Sequence, residues 1–322
     1  MITREILEKR EYDILSEFAT KAAESRGRNI PEETCRVRTD FQRDRDRIIH
    51  SKSFRRLMHK TQVFLSPEGD HYRTRLTHTI EVSQIARTIA RGCALNEDLA
   101  EAIAMGHDLG HTPFGHSGEA VLNEIHPGGF RHNVQSLRVV DVLESGGSQR
   151  KGLNLTAEVR DGILNHTGTV MPFTPEGQIV KVSDRIAYIN HDIDDAIRGG
   201  ILRIEDIPKC YTDILGMTTR ERLNTMVHDV IISSMDRDKI VMSPEIQDAM
   251  SGLREFLFER VYTNQDAKGE EGKAIHMITS LYQYYMEHLE AMPEEFLTIL
   301  EERGEPEEMI VCDYIAGMTD NY

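Results

Sequence analysis

Hydrophobic residues recur at helical spacing along almost the whole chain. Between residues 76 and 89 they return every three to five positions, which is close to the spacing of one helix face. Asn96 is a favoured N-cap for a following helix that ends near residues 106–108. Further helices are predicted over residues 117–125, 133–144, from 156 onward, 176–197, 220–234, 244–262, 273–289 and 294–302. The pattern therefore predicts an all-α fold.

Two segments depart from the helical pattern. Residues 168–173 form the one candidate strand, and residues 264–272, rich in glycine and charge, are predicted to be a mobile loop. No linker clearly divides the chain into domains. We therefore expect a helical core over residues 1–205, including an N-terminal helical region, with a helical C-terminal extension over residues 206–322 packed on it.

Length and composition restrict the class of protein. The 322 residues are enough to bury a sizeable core, although only 39% of them are hydrophobic. No apolar run approaches the roughly 18 residues of a membrane span, and the charged N-terminal residues are unlike an export signal. The four cysteines are scattered without a CxxC pair, which argues against a zinc ribbon or a disulfide scaffold. These features predict a cytoplasmic protein without a membrane span.

The charge of the chain is unevenly distributed. A net charge of −16 argues against nonspecific nucleic-acid binding by the whole surface. Residues 36–60 nevertheless contain nine Lys and Arg against three Asp, a net of +6. The interleaved aspartates are typical of a solvated, salt-bridged helix face, whereas the excess of cations is typical of a patch that attracts a polyanion such as a single-stranded nucleic acid. Composition leaves both interpretations open.

Histidines are concentrated in one part of the chain. Seven of the fourteen lie between His71 and His132, and carboxylates accompany them at Asp108, Glu119 and Asp184. Imidazoles together with carboxylates suit a borderline divalent metal such as Mn, Fe, Co, Ni or Zn. The pattern predicts a metal site, with a polar, hydrogen-bonded surface cluster as the alternative.

Residues 107–116, HDLGHTPFGH, are unusual in themselves. Adjacent helix residues point about 100° apart, so His107 and Asp108 can bind one ion only near a helix end. Gly110, Pro113 and Gly115 break the helix directly after this doublet and place the following histidines on a tight loop. Loops fixed on rigid helices often carry catalytic groups; a structural turn with incidental histidines is the alternative.

The order His78, His107-Asp108, Asp184 resembles the H…HD…D pattern of the HD superfamily of metal-dependent phosphohydrolases. Longer segments resemble the deoxyguanosine triphosphate triphosphohydrolase family, in its shorter bacterial branch. These segments are residues 38–47, 54–57, 60–64, 70–79, 130–133, 184–188, 191–195 and 313–320. The resemblance is dense from about residue 36 to 202, and it implies a helical HD-domain core.

The resemblance implies roles for individual residues. The implied metal ligands are His78, His107, Asp108 and Asp184. The implied catalytic groups are His116, Glu119 as the carboxylate that orients it, and His111 and His132 beside the α-phosphate. The implied substrate contacts are Arg75 and Arg185 for phosphate, Tyr188 and Asp192 near the deoxyribose, and Gln62 and Val63 at the sugar edge. The cofactor is a divalent ion, with Mn, Fe, Mg, Co, Ni and Zn as candidates.

The resemblance also implies the reaction. Members of the family cleave between the α-phosphorus and the 5′ oxygen of a deoxynucleoside triphosphate, releasing a deoxynucleoside and tripolyphosphate. The departing alkoxide is a poor leaving group, so a proton donor such as His116 is expected to contribute about 10²–10⁴-fold. An HD nucleotidase or phosphodiesterase acting on another nucleotide is the first alternative, and a nucleotide-sensing or nucleic-acid-binding module is the second.

Relatives of this kind are commonly homo-oligomers, and some are activated by a second nucleotide at a subunit interface. The resemblance therefore predicts a homo-oligomer with a nucleotide effector as a further candidate partner. The preferred base and the native metal are left open by the sequence.

Overall fold

The helical spacing of the sequence corresponds to fifteen α-helices in the described residues of a computed structural model. These residues are 2–62, 73–144, 152–262 and 265–322, with only the backbone described for 262 and 265–271. Within these ranges there is no β-strand, and two isolated bridges, Arg28–Thr156 and Thr61–Thr74, are the only β-type pairings. The prediction of an all-α fold is confirmed.

The helices follow one another with short connections. Their bounds are α1 Arg4–Ile14, α2 Asp40–Ile49, α3 Lys52–Arg56, α4 Arg75–Gly92, α5 Glu97–Gly106, α6 Gly115–Ile125, α7 His132–Arg138, α8 Ala157–Asn165, α9 Pro175–Arg198, α10 Lys209–Leu215, α11 Thr219–Ser234, α12 Pro244–Leu257, α13 Gln265–Glu287, α14 Glu294–Arg303 and α15 Glu307–Ala316. A wider π-type turn over Val139–Leu143 continues α7 and completes the helix predicted for residues 133–144.

Helix α5 lies at the centre of the main core. Asn96 caps it by accepting a hydrogen bond from the Leu99 amide, as predicted, and α2, α4, α8 and α9 pack around it. Leu99 and Ile103 on this helix are fully buried. Gly106 and Gly162 each leave room for an isoleucine of the facing helix, since an added Cβ would lie 2.5 Å from that side chain. The close approach of α4, α5, α8 and α9 brings their ends to one place.

The C-terminal helices divide between two apolar clusters. Helices α10 to α12 contribute to the main core through residues such as Leu215, Met226 and Leu253. Helices α13 to α15 form a second cluster with α6, in which Leu122, Ile278 and Ile315 are buried together. Helix α6, which follows the histidine loop (residues 107–114), is therefore supported by the C-terminal part of the chain. The division at residues 205 and 206 remains a prediction.

The strand predicted for residues 168–173 is wrong, because this segment is irregular and no strand pairs with it in the described chain. The ammonium of Lys181 donates to the carbonyls of residues 165, 167, 168 and 170 at 2.7–3.2 Å. A single buried lysine thus binds two carbonyls of this segment and two directly before it.

The mobile loop predicted for residues 264–272 is wrong from residue 265 onward, where α13 begins, while residue 264 lies outside the described residues. Glycine in a helix costs roughly 0.5–1 kcal/mol relative to alanine. Helix α13 offsets this cost because it continues to Glu287 and buries Ala274, Ile278 and Tyr282 against its neighbours. None of the described helices combines the length and apolar character that a bilayer crossing requires.

Candidate metal centre and catalytic cavity

Three helices bring the predicted metal ligands together. His78 lies in the first turn of α4, Asp184 lies in the middle of α9, and His107 and Asp108 follow the last residue of α5. Ser136 on α7 fixes the end of α5, because its hydroxyl donates to the His107 carbonyl and accepts from the Gly110 amide. Leaving the helix at this point lets both His107 and Asp108 face the same space.

The ligand atoms converge at the distances expected around one ion. His78 Nε2 lies 3.1 Å from Asp184 Oδ1 and 4.0 Å from Asp108 Oδ2. His107 Nε2 lies 3.5 Å from Asp108 Oδ1 and 3.8 Å from Asp184 Oδ1. Atoms that each bind one ion at about 2.1 Å lie roughly 3–4 Å from one another. His78, His107 and Asp108 are all buried.

The hydrogen bonding of His107 shows whether these residues fit a metal ion. Its Nδ1 lies 2.7 Å from the carbonyl oxygen of Ala104 and donates a hydrogen bond there, so Nε2 carries a lone pair. That Nε2 is buried and has no hydrogen-bond partner in the described part of the chain. A buried nitrogen lone pair aimed at two carboxylates is expensive unless a cation lies between them. The donor set of two imidazoles and two carboxylates therefore fits a divalent ion.

A chain of hydrogen bonds behind His78 orients its ring. His78 Nδ1 lies 3.3 Å from Nδ1 of His191, and His191 Nε2 lies 2.8 Å from Oε2 of Glu81. The carboxylate accepts from His191 Nε2–H, which leaves His191 Nδ1 to accept from His78. His78 then presents the lone pair of Nε2 to the metal centre. Such outer partners fix the tautomer and ring orientation of a ligating histidine.

Both carboxylates of the centre are held ionised. Burial by itself would raise the pKa of Asp108, but the neighbouring imidazoles of His107 and His111 and the guanidinium of Arg75 outweigh it and hold this pKa well below its usual range. Burial would likewise raise the pKa of Asp184, but the close approach of the His78 and His107 rings lowers it to about 2. Two anionic ligands in a buried cluster are what a divalent cation requires.

The loop after Asp108 is braced by the C-terminal residues of the chain. Phe114 and Gly115 both adopt the left-handed conformation, with φ of 61° and 56°. A non-glycine residue in this region costs roughly 1–2 kcal/mol, so the surroundings must hold it. The Asp320 carboxylate accepts from the amides of Phe114 and Thr61, and the Lys60 ammonium donates to the carbonyls of His111 and Ala316.

His116 and Glu119 do not meet in the way the sequence suggested. His116 is exposed in the wall of a cavity, and its ring makes no hydrogen bond within the described residues. Enclosure by the protein and the charge of Arg75 lower its pKa, while Glu119 acts in the opposite direction. The hydrogen bonds of the Glu119 carboxylate go to His132: both oxygens lie 3.0 Å from its Nδ1, and Oε1 accepts from its amide at 2.8 Å.

His132 and His111 form a stacked pair. Their ring centroids are 4.2 Å apart with an interplanar angle of 15°. His132 Nε2 lies 3.2 Å from Nε2 of His166, a buried residue directly after α8. Burial and Arg75 hold the pKa of His111 well below its usual range, whereas the pKa of His132 is raised because Glu119 outweighs the effect of burial. Burial lowers the pKa of His166 to about 3.

A cavity of about 380 Å³ connects these groups with the metal centre. Such a volume falls in the usual range for small-molecule sites. The residues that line it are Gln62, Arg75, His78, Asp108, His111, His116, His132, Thr167, Asp184, Tyr188, Asp192, Arg254, Leu257 and Phe258. Among the predicted residues, His107 and Glu119 lie behind the wall, Arg185 is exposed and is not part of the lining, and Val63 lies outside the described residues.

Arg75 is the principal cation of this cavity. It is 2% exposed, and its Nη1 donates to Asp108 Oδ2 at 3.0 Å. Its Nε and Nη2 are buried without a hydrogen-bond partner in the chain as described. The guanidinium group therefore retains donors for an anionic ligand that lies beside the metal centre.

The opposite end of the cavity is formed by α9 and α12. Burial raises the pKa of Tyr188 to about 12, so its hydroxyl stays protonated at neutral pH. Burial and the neighbouring carboxylates of Asp195 and Asp184 raise the pKa of Asp192 well above its usual range. The Tyr188 hydroxyl can therefore donate a hydrogen bond to a polar ligand.

Several lining or supporting residues were not found from the sequence. Arg254, Leu257 and Phe258 belong to the C-terminal part, where no motif marks them. His166 occupies the same place on α8 that His107 occupies on α5: each follows the helix and donates from Nδ1 to the carbonyl three residues earlier. A histidine directly after a predicted helix was the available signal for it.

Comparison with known proteins agrees with this geometry. Residues 75–189 match the HD domain, and residues 240–322 match the phosphohydrolase-associated domain. A deoxyguanosinetriphosphate triphosphohydrolase-like protein of Caldanaerobacter subterraneus subsp. tengcongensis is 62% identical over 322 residues, which cover 100% of this chain and 94% of the relative. Proteins of the same name from Desulfatibacillum aliphaticivorans and Clostridium tetani are 51% and 50% identical, covering 100% and 94% of this chain and 96% and 88% of the relatives. The chain belongs to the deoxyguanosinetriphosphate triphosphohydrolase-like family of HD-domain hydrolases.

Proposed function

We propose that the protein is a metal-dependent dNTP triphosphohydrolase. It cleaves a deoxynucleoside triphosphate to a deoxynucleoside and tripolyphosphate, either with a preference for dGTP or with broad specificity. The observation that carries this proposal is Arg75, a buried cation with two donor atoms that have no partner among the described residues, in a cavity whose wall contains three of the four predicted metal ligands. The names of the relatives supply the substrate class.

The metal centre and Arg75 together suit a phosphate group. His78, His107, Asp108 and Asp184 would hold a divalent ion, with Mn, Fe, Mg, Co, Ni and Zn as candidates. When bound, this ion supplies Lewis-acid stabilisation of charge on the phosphoryl group. Arg75 binds phosphate oxygens through Nε and Nη2. Its salt bridge to Asp108 holds the guanidinium group beside the metal centre.

His116 is the proposed proton donor for the departing 5′ oxygen. It is exposed in the cavity wall and has no hydrogen bond to another described residue, so its ring nitrogens are available to a substrate. Its lowered pKa favours the neutral form in the free protein. A bound polyphosphate would raise this pKa, because nearby negative charge stabilises the imidazolium ion. Substrate binding would thereby supply the proton that the leaving group needs.

Sugar and base contacts are assigned to the other end of the cavity. Tyr188 and Asp192 line this end as hydrogen-bonding groups for the deoxyribose, with Gln62 at the sugar edge. Arg185 and Val63 are retained as predicted phosphate and sugar contacts. Arg254 adds a second cation to the lining and is a further candidate for the triphosphate.

The basic segment over residues 36–60 gives little support to a nucleic-acid-binding module. Arg38, Arg43, Arg45, Arg47 and Lys52 each form an ion pair with a carboxylate of the same chain, and Lys60 is buried. This favours the salt-bridged helix face over a surface for a polyanion. Assembly as a homo-oligomer, regulation by a second nucleotide and a cytoplasmic location remain predictions.

Product analysis tests the proposal. The purified protein, loaded separately with Mn²⁺ or Mg²⁺, is incubated with each dNTP singly and with all four together. Chromatography identifies the nucleoside product, and ³¹P NMR identifies the phosphate product. We expect equal amounts of deoxynucleoside and tripolyphosphate. Orthophosphate or pyrophosphate as the product, or cleavage of monophosphates or cyclic nucleotides alone, would instead support the nucleotidase or phosphodiesterase alternative.

A further inference from the structure

The environment of His166 determines which of its nitrogens carries a proton. The side chain is 2% exposed, and Nδ1 lies 2.7 Å from the carbonyl oxygen of Ile163. A carbonyl only accepts, so Nδ1 carries the hydrogen and Nε2 carries a lone pair. His166 therefore offers one acceptor on its inner side.

That acceptor faces His132. The two Nε2 atoms are 3.2 Å apart, so His132 must donate from Nε2. On the other side of the ring, His132 Nδ1 lies 3.0 Å from both oxygens of the Glu119 carboxylate, which also accepts only. Neutral histidine has one N–H group and cannot donate in both directions. The ring that satisfies both contacts is the imidazolium ion.

The remaining neighbours are compatible with this charge. The groups that face His132 are Glu119 and His116 from α6, His166 from the end of α8, Asp108 and His111 from the histidine loop, and Arg75 from α4. Burial and Arg75 oppose the cation, and the hydrogen bonds to Glu119 favour it. His111 stacks on the ring as a neutral imidazole, since its own pKa is held well below the usual range.

The contacts of His132 also affect whether a second metal ion could bind beside the predicted centre. Asp108, His111 and His132 bring ligand atoms within 4.8 Å of one another and could be taken for a metal site. A metal ligand must present a lone pair, and both nitrogens of His132 are engaged as donors to Glu119 and His166. This cluster therefore suits an anionic group of the substrate rather than a cation.

We propose that His166 is a positioning residue that, together with Glu119, holds His132 as an imidazolium ion in the cavity wall. This places the positive member of the Glu119–His132 ion pair in the cavity wall, where it faces an anionic substrate, and it rests on the proposed function only for the identity of that anion. His166 itself does not line the cavity and acts through His132.

Nitrogen NMR tests the charge directly. Protein labelled with ¹⁵N-histidine and loaded with Zn²⁺ is titrated without nucleotide, and the His132 signals are identified by their absence in H132Q. We expect both nitrogens of His132 to be protonated at pH 7 in the wild-type protein. A neutral His132 at this pH would overturn the proposal. Because no nucleotide is present, a failure of the protein to hydrolyse dNTPs would leave this result unaffected.

Two variants separate positioning from simple packing. H166L removes the acceptor, and we expect the pKa of His132 to fall by about one unit or more. H166Q keeps a carbonyl oxygen near the position of Nε2, and we expect a smaller fall. The alkaline limb of the kcat/KM profile should move to lower pH, and by more in H166L than in H166Q. An unchanged His132 pKa in folded H166L would contradict the role. Melting temperature and zinc content are measured first, and the wild-type spectrum decides the charge if H166L does not fold.

Discussion

At the scale of single residues, the cavity separates groups that hold the metal from groups that do chemistry on the substrate. Asp184 faces His78 and His107 across the centre, whereas His116 lies in the wall without a contact to these ligands. H116Q is therefore expected to retain bound metal and to lose turnover by at least about 10²-fold, as loss of a general acid predicts. D184N is expected to lose metal first. Elemental analysis and a product assay on both variants measure the two effects.

The two variants act as controls for each other, since each should leave one of the two readouts intact. Full activity in H116Q would reject its role as proton donor. Metal stoichiometry equal to wild type in D184N would reject Asp184 as a ligand.

The chain Glu81–His191–His78 carries a second prediction at this scale. E81Q replaces the acceptor with an amide that can turn its NH₂ group toward His191, so the tautomer of His78 is no longer fixed. We expect the affinity for the divalent ion to fall by about 10- to 100-fold, as for other outer-shell partners. Competition with a metal-binding dye measures this. E124Q, which alters an exposed glutamate on α6, is the matched control. Equal affinity in E81Q and E124Q would show that the chain does not tune the metal.

Part of the candidate site could be predicted from the sequence. His78, His107, Asp108 and Asp184 were named from the resemblance to the H…HD…D pattern, and the helix end near residue 106 explained how the adjacent His107 and Asp108 could face one ion. The partner of Glu119 could not be named in this way. The spacing of three residues favours His116 on the same helix, but His132 reaches the carboxylate from another element and carries the hydrogen bonds. Arg254 was missed for a similar reason, since only tertiary packing brings α12 to the cavity.

At the scale of secondary-structure elements, the position of α6 depends on glycine. A Cβ added at Gly118 would lie 2.0 Å from the carbonyl oxygen of Pro113 and 2.8 Å from the Thr112 hydroxyl. G118A should therefore displace the histidine loop, destabilise the protein by about 2–4 kcal/mol and reduce turnover. G272A is the matched control, because Gly272 lies in α13 with open space around its Cα. That change should be neutral or stabilising by up to about 1 kcal/mol.

Urea denaturation and a product assay on both variants measure these effects. Equal stability in G118A and G272A would show that the loop can move away from α6 at no cost.

Two segments form structures that the sequence did not predict. Residues 265–272 continue into a helix that buries Ala274, Ile278 and Tyr282, and in residues 168–173 the carbonyls of residues 168 and 170 bind Lys181 in place of a neighbouring strand. Neither set of contacts lies within the segment concerned.

At the scale of the whole molecule, the C-terminal residues and the histidine loop are joined through Lys60. Its ammonium donates to the carbonyls of His111 and Ala316 and is 2% exposed. Burial and the charge of Arg75 lower the pKa of Lys60 to about 7. A neutral amine has two N–H groups, and the two carbonyls accept both. The uncharged form of Lys60 therefore joins the two parts of the chain at a lower free-energy cost than the ammonium form.

This predicts how stability depends on pH. Lys60 titrates near 7 in the folded chain and near 10.4 when unfolded, so between these values the unfolded chain binds the extra proton. The stability of the wild-type protein relative to K60M should therefore rise from pH 7 to pH 10, by about 2–4 kcal/mol in all. Below pH 7 the difference should be constant, because both states are then protonated. Urea denaturation at each pH measures it. K52M, which alters an exposed lysine paired with Glu295, is the control and should follow the wild-type curve. A constant difference between wild type and K60M across the whole range would show that Lys60 keeps its charge when buried, and that the two carbonyls bind an ammonium ion.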